Sequence, residues 1–181
     1  MKYYKVLDGN KSCNGGRYTW SLPVKNEDGT WEPGEWTTPV EGTLEPCSNG
    51  YHLCRPSDLV RWLGPDIYEA ETTGETLDDG DKIAVRSCRL VRRVEAWDER
   101  TARLFAVWCA REALKLVGVP DPRSVAACDV AERYANGEAT AEELAAAGAA
   151  ARYAAGAAAW AAAWDAARYA AWDAAGYDAW A

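Results

Sequence analysis

The chain has 181 residues, of which 49% are hydrophobic and 27% charged, and its formal net charge at pH 7 is −8. This size and composition predict a globular protein with one core and an extension, or with two small units. The excess of acidic residues disfavours a nucleic-acid-binding protein, because affinity for phosphates depends on clustered Lys and Arg.

Up to Val94 the sequence is typical of β structure, with short aromatic or β-branched runs separated by Gly, Pro and Asn. The first half of this region predicts a strand from Lys2 to Leu7 and a further short run from Arg17 to Leu22. The polar segment from Lys25 to Pro46 contains Asp-Gly and Pro-Gly pairs, so we expect loop and hairpin there. A short strand is predicted from Tyr51 to Cys54.

The second half of the β region predicts a helix and two more strands. Pro56-Ser57-Asp58 is expected to begin a helix that runs through Trp62 and ends at Gly64-Pro65, with Ser57 or Asp58 as its cap. Strands are predicted from Ile67 to Glu71 and from Lys82 to Val94. The apolar phase of the last strand changes along its length, which indicates a bulge near Arg86 and Ser87.

From Trp97 onward the sequence predicts helices. Asp98 is expected to cap a helix to Val117, and Asp121-Pro122 to begin a second helix that ends at Asn136-Gly137. Thr140 with Glu143 forms a capping-box pattern for a third helix, which the alanine-rich sequence would extend toward the chain end. The predicted fold is therefore α+β, with a β-rich domain at 1–96 and a helical region at 97–181.

The alanine-rich tail contains an internal repeat, WDAARYAA at 164–171 followed by WDAAGYDA at 172–179. Its tryptophans are either anchors for a protein partner or a second copy of the chain, or a product of low-complexity repetition. The candidate partner-binding residues are Trp160, Trp164, Trp172 and Trp180. The uncharged run from Tyr153 to Trp164 is shorter than the roughly 20 residues that cross a bilayer, so no membrane span is predicted.

The stretch CSNGYHLCRP at 47–56 contains the single histidine of the chain, His52. Cys47 and Cys54 flank it, and Cys13 lies in a similar Gly-containing turn, so these four residues could form a structural zinc site. The spacing matches no recognised finger, and the favoured interpretation is reduced, buried cysteines beside a hydrogen-bonded histidine. A Cys/His nucleophile centred on His52 is a further, weaker alternative.

Arginines form a second constellation. Four lie on the long predicted strand and two on the helix that follows, and together they could hold a small anionic, nucleotide-like ligand: Arg86, Arg89, Arg92, Arg93, Arg103 and Arg111. The alternative is that these arginines neutralise the acidic segment from Glu71 to Asp81, and this interpretation is favoured.

The sequence resembles three known groups of proteins. YKVLDGNKSCNGGRY, CSNGYHLCRPSDLVRWL, IYEAETTGE and DKIAVRSCRLV resemble a family of uncharacterised phage and bacterial proteins with no established activity, through Tyr4, Lys5, Cys13, Gly50, His52, Cys54, Pro56 and Gly74. In the second half, RLFAVWCAREAL and DPRSVAACDVAERYANGEATAEELAAA are similar to alanine-rich helical segments of bacterial proteins, including some labelled as immunity proteins. The GYHLC strand, the helix and the IYEAE strand resemble the topology of ADP-ribosyltransferases.

These observations lead to one favoured functional hypothesis and two alternatives. The favoured one is a non-enzymatic, cytoplasmic binding protein of phage or mobile-element type, which holds a protein partner or a small anionic ligand in immunity or counter-defence. It would carry no cofactor. The alternatives are an ADP-ribosyltransferase-like or Cys/His enzyme built around His52, and a zinc-stabilised structural module. The amino terminus MKYYKVLDGNK lacks the apolar segment of a signal peptide, which favours the cytoplasm.

Overall fold

A computed structural model describes residues 2–13, 16–116, 118–157 and 160. An antiparallel sheet region is followed by three helices, which confirms the predicted α+β fold class. The chain divides into two compact units, Met1–Glu99 and Arg100–Ala181.

The first unit contains seven strands, most of them in one antiparallel sheet. Their order in the main sheet is β2-β1-β6-β7-β5, and β3 and β4 form a separate hairpin. The strands are β1 (Tyr3–Asp8), β2 (Lys11–Ser12), β3 (Val24–Lys25), β4 (Trp31–Glu32), β5 (Tyr51–Leu53), β6 (Asp66–Asp78) and β7 (Ile83–Arg93). The expected strand within 17–22 does not form, and those residues run as an irregular segment.

A pair of backbone hydrogen bonds closes this sheet into a ring. Tyr4 on β1 bridges to Cys54, the residue after β5, with each N–H donating to the other carbonyl at 2.8 Å. Because β1 also pairs with β6, β6 with β7 and β7 with β5, the pairing returns to its starting strand. Closure satisfies backbone groups that would otherwise lie on open edges. It also fixes β1 beside β5, where the cavity described below is found.

The core of this unit consists of apolar side chains from all the longer strands. Buried residues of β1, β5, β6 and β7 pack with Trp20, and the two largest strands contribute most of them: Leu7, Trp20, Leu53, Tyr68, Ala70, Ile83, Val85, Cys88 and Leu90. Burial of such side chains stabilises the fold by about 1.5–3 kcal/mol each. Lys5 is an exception among these apolar neighbours, with only 8% of its surface exposed.

The predicted bulge lies level with the expected position but on the partner strand. Between Thr73 and Thr76 the pairing register of β6 advances by one residue more than that of β7, opposite Arg86. Gly74 in this segment has φ +79°, a conformation that glycine adopts readily. A second register shift falls after Glu69. β6 continues to Asp78, well beyond the predicted end at Glu71. The prediction missed this extension because its residues are polar apart from Leu77 and give no apolar alternation.

The predicted helix after Pro56 is wrong in extent, since only a single 3₁₀ turn forms at Leu59–Arg61. The expected Asp58 cap makes no hydrogen bond to the backbone of the turn. Its carboxylate instead pairs with the Arg55 guanidinium, Nε to Oδ2 at 2.5 Å. The same guanidinium also contacts Asp78 and the carbonyl of Gly80, so Arg55 holds the β6–β7 turn. An ion pair with Arg55, which is itself held by the distant Asp78, thus takes the place of the expected cap.

The helical unit begins with α1 (Glu99–Lys115) and α2 (Pro122–Ala135), and helical residues at 141–157 form α3. Asp121 caps α2 by accepting a hydrogen bond from the N–H of Arg123, as predicted. The capping box is also confirmed, because the Thr140 hydroxyl accepts from the N–H of Glu143 while the Glu143 carboxylate accepts from the N–H of Thr140. Within the described part of the chain, no helix is long and apolar enough to cross a membrane.

Candidate ligand-binding cavity

A cavity of about 480 Å³ lies against β1 and β5 in the first unit. Its walls come from those two strands, from residues 16–20, from the turn at 47–50 and from the region of Trp62 and Lys82. Its volume falls in the range of small-molecule sites, about 300–1,000 Å³. None of the described residues that line it is acidic, although the chain has a net charge of −8. Three lining residues are basic: Lys5, Arg17 and Lys82.

Lys5 is the most unusual of these groups. Its ammonium donates one hydrogen bond to the carbonyl of His52 at 3.1 Å and lies 4.8 Å from the centre of the Trp20 ring. Among the described residues, no carboxylate pairs with it. Burial lowers the pKa of Lys5, and the thiols of Cys88, Cys54 and Cys13 only partly oppose that effect. A buried ammonium therefore reaches the cavity with most of its hydrogen-bonding capacity unused.

Aromatic side chains form the wall beside Lys5. The Tyr18 ring packs edge-to-face on Trp20 and on Tyr51, with ring centres 5.3 and 5.1 Å apart. The hydroxyl of Tyr51 donates to the carbonyl of Thr38 at 2.9 Å, which fixes the ring. Trp20 is 5% exposed whereas Tyr18 is 40% exposed, so the wall runs from the interior to the surface. Arranged this way, the rings offer an apolar contact along the depth of the cavity.

His52 supports the turn at 47–50, which forms another part of the cavity wall. The backbone N–H of Cys47 donates to Nε2 of His52 at 2.9 Å. Cys47 has φ +61°, a left-handed conformation that costs energy for a residue with a side chain. Burial lowers the pKa of His52, with Lys5 and Lys82 adding to that effect, so the ring is held in its neutral, accepting form. The nitrogen that would act as a general base is already occupied by this hydrogen bond.

The four predicted zinc ligands all lie near this cavity, but they do not assemble into a metal centre. Among the described residues, no group of three or more His, Cys, Asp or Glu side chains is placed to hold a metal ion. The six cysteines are free thiols. Burial raises the pKa of Cys54 to about 11 and that of Cys88 to about 12, so both remain protonated near neutral pH. Cys13 and Cys47 are exposed.

The third basic residue of the lining, Lys82, is neutralised locally. Its ammonium pairs with Asp79 at 2.8 Å and with Asp81 at 3.5 Å, and it lies 5.2 Å from the centre of the Trp62 ring. The indole N–H of Trp62 donates to the carbonyl of Asp81 at 2.9 Å. These contacts hold the β6–β7 turn against the cavity. Lys82 is therefore a wall residue with little net charge to offer a ligand.

The arginines predicted to bind an anion are distributed between the two units. The four on β7 each pair with a carboxylate of β6, in the order Arg86 to Glu75, Arg89 to Glu71, Arg92 to Glu69 and Arg93 to Asp66. Two of these partners, Glu71 and Glu75, lie in the acidic segment from Glu71 to Asp81 that the arginines were expected to neutralise. The partners of Arg92 and Arg93 lie before that segment. None of the four lines the cavity described above.

The two arginines of α1 also have partners. Arg111 pairs with Asp129 and Glu132 of α2 at 2.8 and 2.6 Å. The guanidinium of Arg103 lies 4.8 Å from the centre of the Tyr134 ring. These contacts join α1 to α2, so both side chains contribute to helix packing.

Of the four tryptophans predicted to bind a partner, the structure describes one. Trp160 is helical and 71% exposed. Trp164, Trp172 and Trp180 lie outside the described residues.

Sequence reasoning missed the residues that define this cavity. The sequence indicated Lys5 only as a residue of a predicted strand and of the family resemblance. It indicated Tyr18 and Trp20 only as residues of an expected strand. The one available signal was a basic residue on the strand face that also carries the apolar Tyr3 and Leu7. The ring closure through Cys54, which places Lys5 beside His52, has no counterpart in local sequence.

Comparisons with known proteins give one match. A protein-family model described as "Domain of unknown function (DUF7666)" matches residues 1–101. No curated protein and no solved structure matches the chain. The matched range contains every described residue that lines the cavity.

Proposed function

The chain belongs to the DUF7666 family of domains of unknown function, and we propose that the cavity beside Lys5 binds a small anionic ligand without chemical turnover. The observation that carries this proposal is the buried ammonium of Lys5, which has no carboxylate partner among the described residues. The setting that the resemblance implies, a cytoplasmic phage or mobile-element protein active in immunity or counter-defence, forms part of the same proposal.

Energetics favour a ligand as the missing partner of Lys5. Removing an ammonium from water costs several kcal/mol in a real protein. One hydrogen bond from a charged donor offsets about 1.5–3 kcal/mol of this desolvation cost. A cation over an aromatic ring offsets up to about 2 kcal/mol of it. An anion in the cavity would supply the opposite charge and accept the unused N–H donors of Lys5. Arg17 lines the same cavity and is exposed, so it adds positive charge at the entrance.

The enzymatic alternative centred on His52 has less support. Its Nε2 atom accepts the Cys47 N–H, and its neighbour Cys54 has a raised pKa, which disfavours a thiolate nucleophile. A general base requires a free acceptor within reach of a substrate proton. The cavity offers charge and apolar surface, which suit binding better than proton transfer.

Isothermal titration calorimetry tests the proposal with inorganic phosphate, phenyl phosphate, benzoate and AMP as probes. We expect at least one of them to bind the wild-type protein, and Lys5→Met to weaken that binding at least tenfold. Lys25→Met is the matched control, because Lys25 is exposed, pairs with Glu95 at the surface and does not line the cavity. Absence of binding by every probe at millimolar concentration, or equal binding by Lys5→Met, contradicts an anion site at Lys5.

A protein partner is the second candidate function, and the exposure of Trp160 favours it. A tryptophan with 71% of its surface exposed on a helix is typical of residues that become buried on association. The partner would be another protein or a second copy of the chain. Sedimentation velocity across a hundredfold concentration range tests self-association, and Trp160→Ala should shift any dimer toward monomer. A single concentration-independent monomer would contradict the second-copy form.

A further inference from the structure

We infer that the ligand of the Lys5 cavity carries an aromatic ring and ends in an unsubstituted anionic group, which enters first and binds at Lys5 while the ring stays near Tyr18. This inference rests on the proposed anion site and names the class of its ligand. Such molecules include aryl and nucleoside monophosphates and aromatic carboxylates, which share a terminal anion and a planar ring.

The depth of each lining residue sets the orientation. Lys5 is 8% exposed and Tyr18 is 40% exposed, so charge recognition is deep and the aromatic surface reaches the entrance. A ligand that entered ring first would place its anion near the exposed Arg17 at the entrance and leave the buried Lys5 ammonium without an opposite charge. A ligand that enters with the anion first satisfies both ends.

The surroundings of Lys5 favour a terminal, unesterified anion. Trp20 packs within 4.8 Å of the ammonium, and the backbone of Cys54 is fixed by its two hydrogen bonds to Tyr4. A substituent on the anion would have to occupy the space next to these fixed groups. It would also remove charge where the protein supplies one buried cation. An ester should therefore bind more weakly than the free monoester or acid.

Contacts with Tyr18 and Tyr51 favour an aromatic over an aliphatic ring. The two tyrosine rings already pack edge-to-face, at 5.1 Å between centres and 73° between planes. A planar ligand ring at the entrance could continue this arrangement, with one face or edge against Tyr18. A saturated ring of similar size would bury similar apolar area but lose the aromatic geometry.

A matched series of probes tests the inference by calorimetry: phenyl phosphate, cyclohexyl phosphate, methyl phenyl phosphate and inorganic phosphate. We expect phenyl phosphate to bind about 3- to 10-fold more tightly than cyclohexyl phosphate. We expect it to bind at least tenfold more tightly than inorganic phosphate or the methyl diester. Tyr18→Leu should abolish the difference between phenyl and cyclohexyl. Trp36→Leu should preserve it, because Trp36 is also 40% exposed but lines no part of the cavity.

The results of these titrations distinguish the aromatic, anion-first ligand class from the anion site at Lys5 on which it rests. Equal affinities for phenyl phosphate, cyclohexyl phosphate and inorganic phosphate would overturn the aromatic requirement and leave the anion site intact. Equal affinity for phenyl phosphate and its methyl diester would overturn the anion-first orientation. If none of the phosphates bound while benzoate did, the anion site would stand and the phosphate monoesters would be removed from the ligand class. If benzoate also failed to bind, the anion site itself would fall.

Discussion

Replacing Lys5 with methionine should make the protein more stable, because it removes a buried charge that nothing in the described fold neutralises. The two side chains have similar length, and methionine adapts readily to irregular apolar surroundings. In a folded protein without ligand, the ammonium contributes a hydrogen bond to His52 and a contact with Trp20, but it carries the full cost of its burial.

The size of the effect follows from these opposing contributions. The desolvation that Lys5→Met relieves is several kcal/mol. The variant loses a charged hydrogen bond worth about 1.5–3 kcal/mol and a cation–aromatic contact worth up to about 2 kcal/mol. Burial of the thioether and terminal methyl group returns part of that loss. We expect the free energy of unfolding to rise by about 1–2 kcal/mol, which corresponds to roughly 2–8 °C in Tm for a chain of this size.

Native-state hydrogen exchange measures the change in unfolding free energy in the β unit that contains Lys5. Amides of β6 and β7 lie in the centre of the sheet, so their slowest exchange reports the opening of the whole β unit. Their protection should increase in Lys5→Met and change little in Lys25→Met, which removes only an exposed ion pair. A loss of more than about 1 kcal/mol in Lys5→Met would show that Lys5 stabilises the fold, and the argument for a ligand as its missing partner would fail.

Three further predictions concern other parts of the same unit. Burial lowers the pKa of His52, so the unfolded chain takes up a proton more readily than the folded chain as pH falls below about 6.5. The free energy of unfolding, measured by urea titration, should therefore decline between pH 7 and 5. It should decline less in His52→Gln, whose amide oxygen can still accept the Cys47 N–H. A pH-independent wild type would contradict a neutral His52. Because the pKa of Cys54 is raised from 9.0 to about 11, the unfolded chain loses this proton first, and stability should fall by about 1.4 kcal/mol per pH unit between about pH 9 and 11 for this thiol. The same titrations on Cys54→Ala should show a correspondingly smaller slope over that range, and equal slopes would refute the assignment. Gly34→Ala should destabilise the protein by more than about 2 kcal/mol, because the added Cβ would lie 2.1 Å from the carbonyl oxygen of Ser21. Thermal denaturation measures this loss, and an unchanged Tm would show that the close backbone approach is not required.

The sequence predicted the elements whose signals are local. Asp121 followed by Pro122, and Thr140 followed by Glu143, are complete capping signals within a few residues, and both form as expected. The 3₁₀ turn after Pro56 shows the limit of such reasoning. Asp58 had the right position for a cap, but Arg55 and the distant Asp78 form an ion-pair network that uses its carboxylate. Local propensity was overridden by a network that includes a contact between residues 23 positions apart.

The cavity could not be predicted from the sequence because it depends on long-range pairing. Lys5 and His52 meet only because Tyr4 bridges to Cys54 and closes the ring of strands. The arginines were visible as a charged constellation, yet β7 pairs with β6 in a register that places an acid beside each of its four arginines. The pairing register depends on both strands. The sequence of β7 alone could therefore not show which of its arginines would be paired with carboxylates and which would be free to bind a ligand.

Chemical-shift mapping by NMR tests the central claim most directly. Phenyl phosphate would be titrated into the full-length protein while the indole N–H signals are followed. The Trp20 and Trp62 signals should move in a saturable way in the wild type, because both rings line the cavity, whereas Trp31 and Trp36 should not move. In Lys5→Met the response should disappear. Saturable shifts confined to tryptophans outside the cavity, or an unchanged response in Lys5→Met, would contradict anion binding at Lys5.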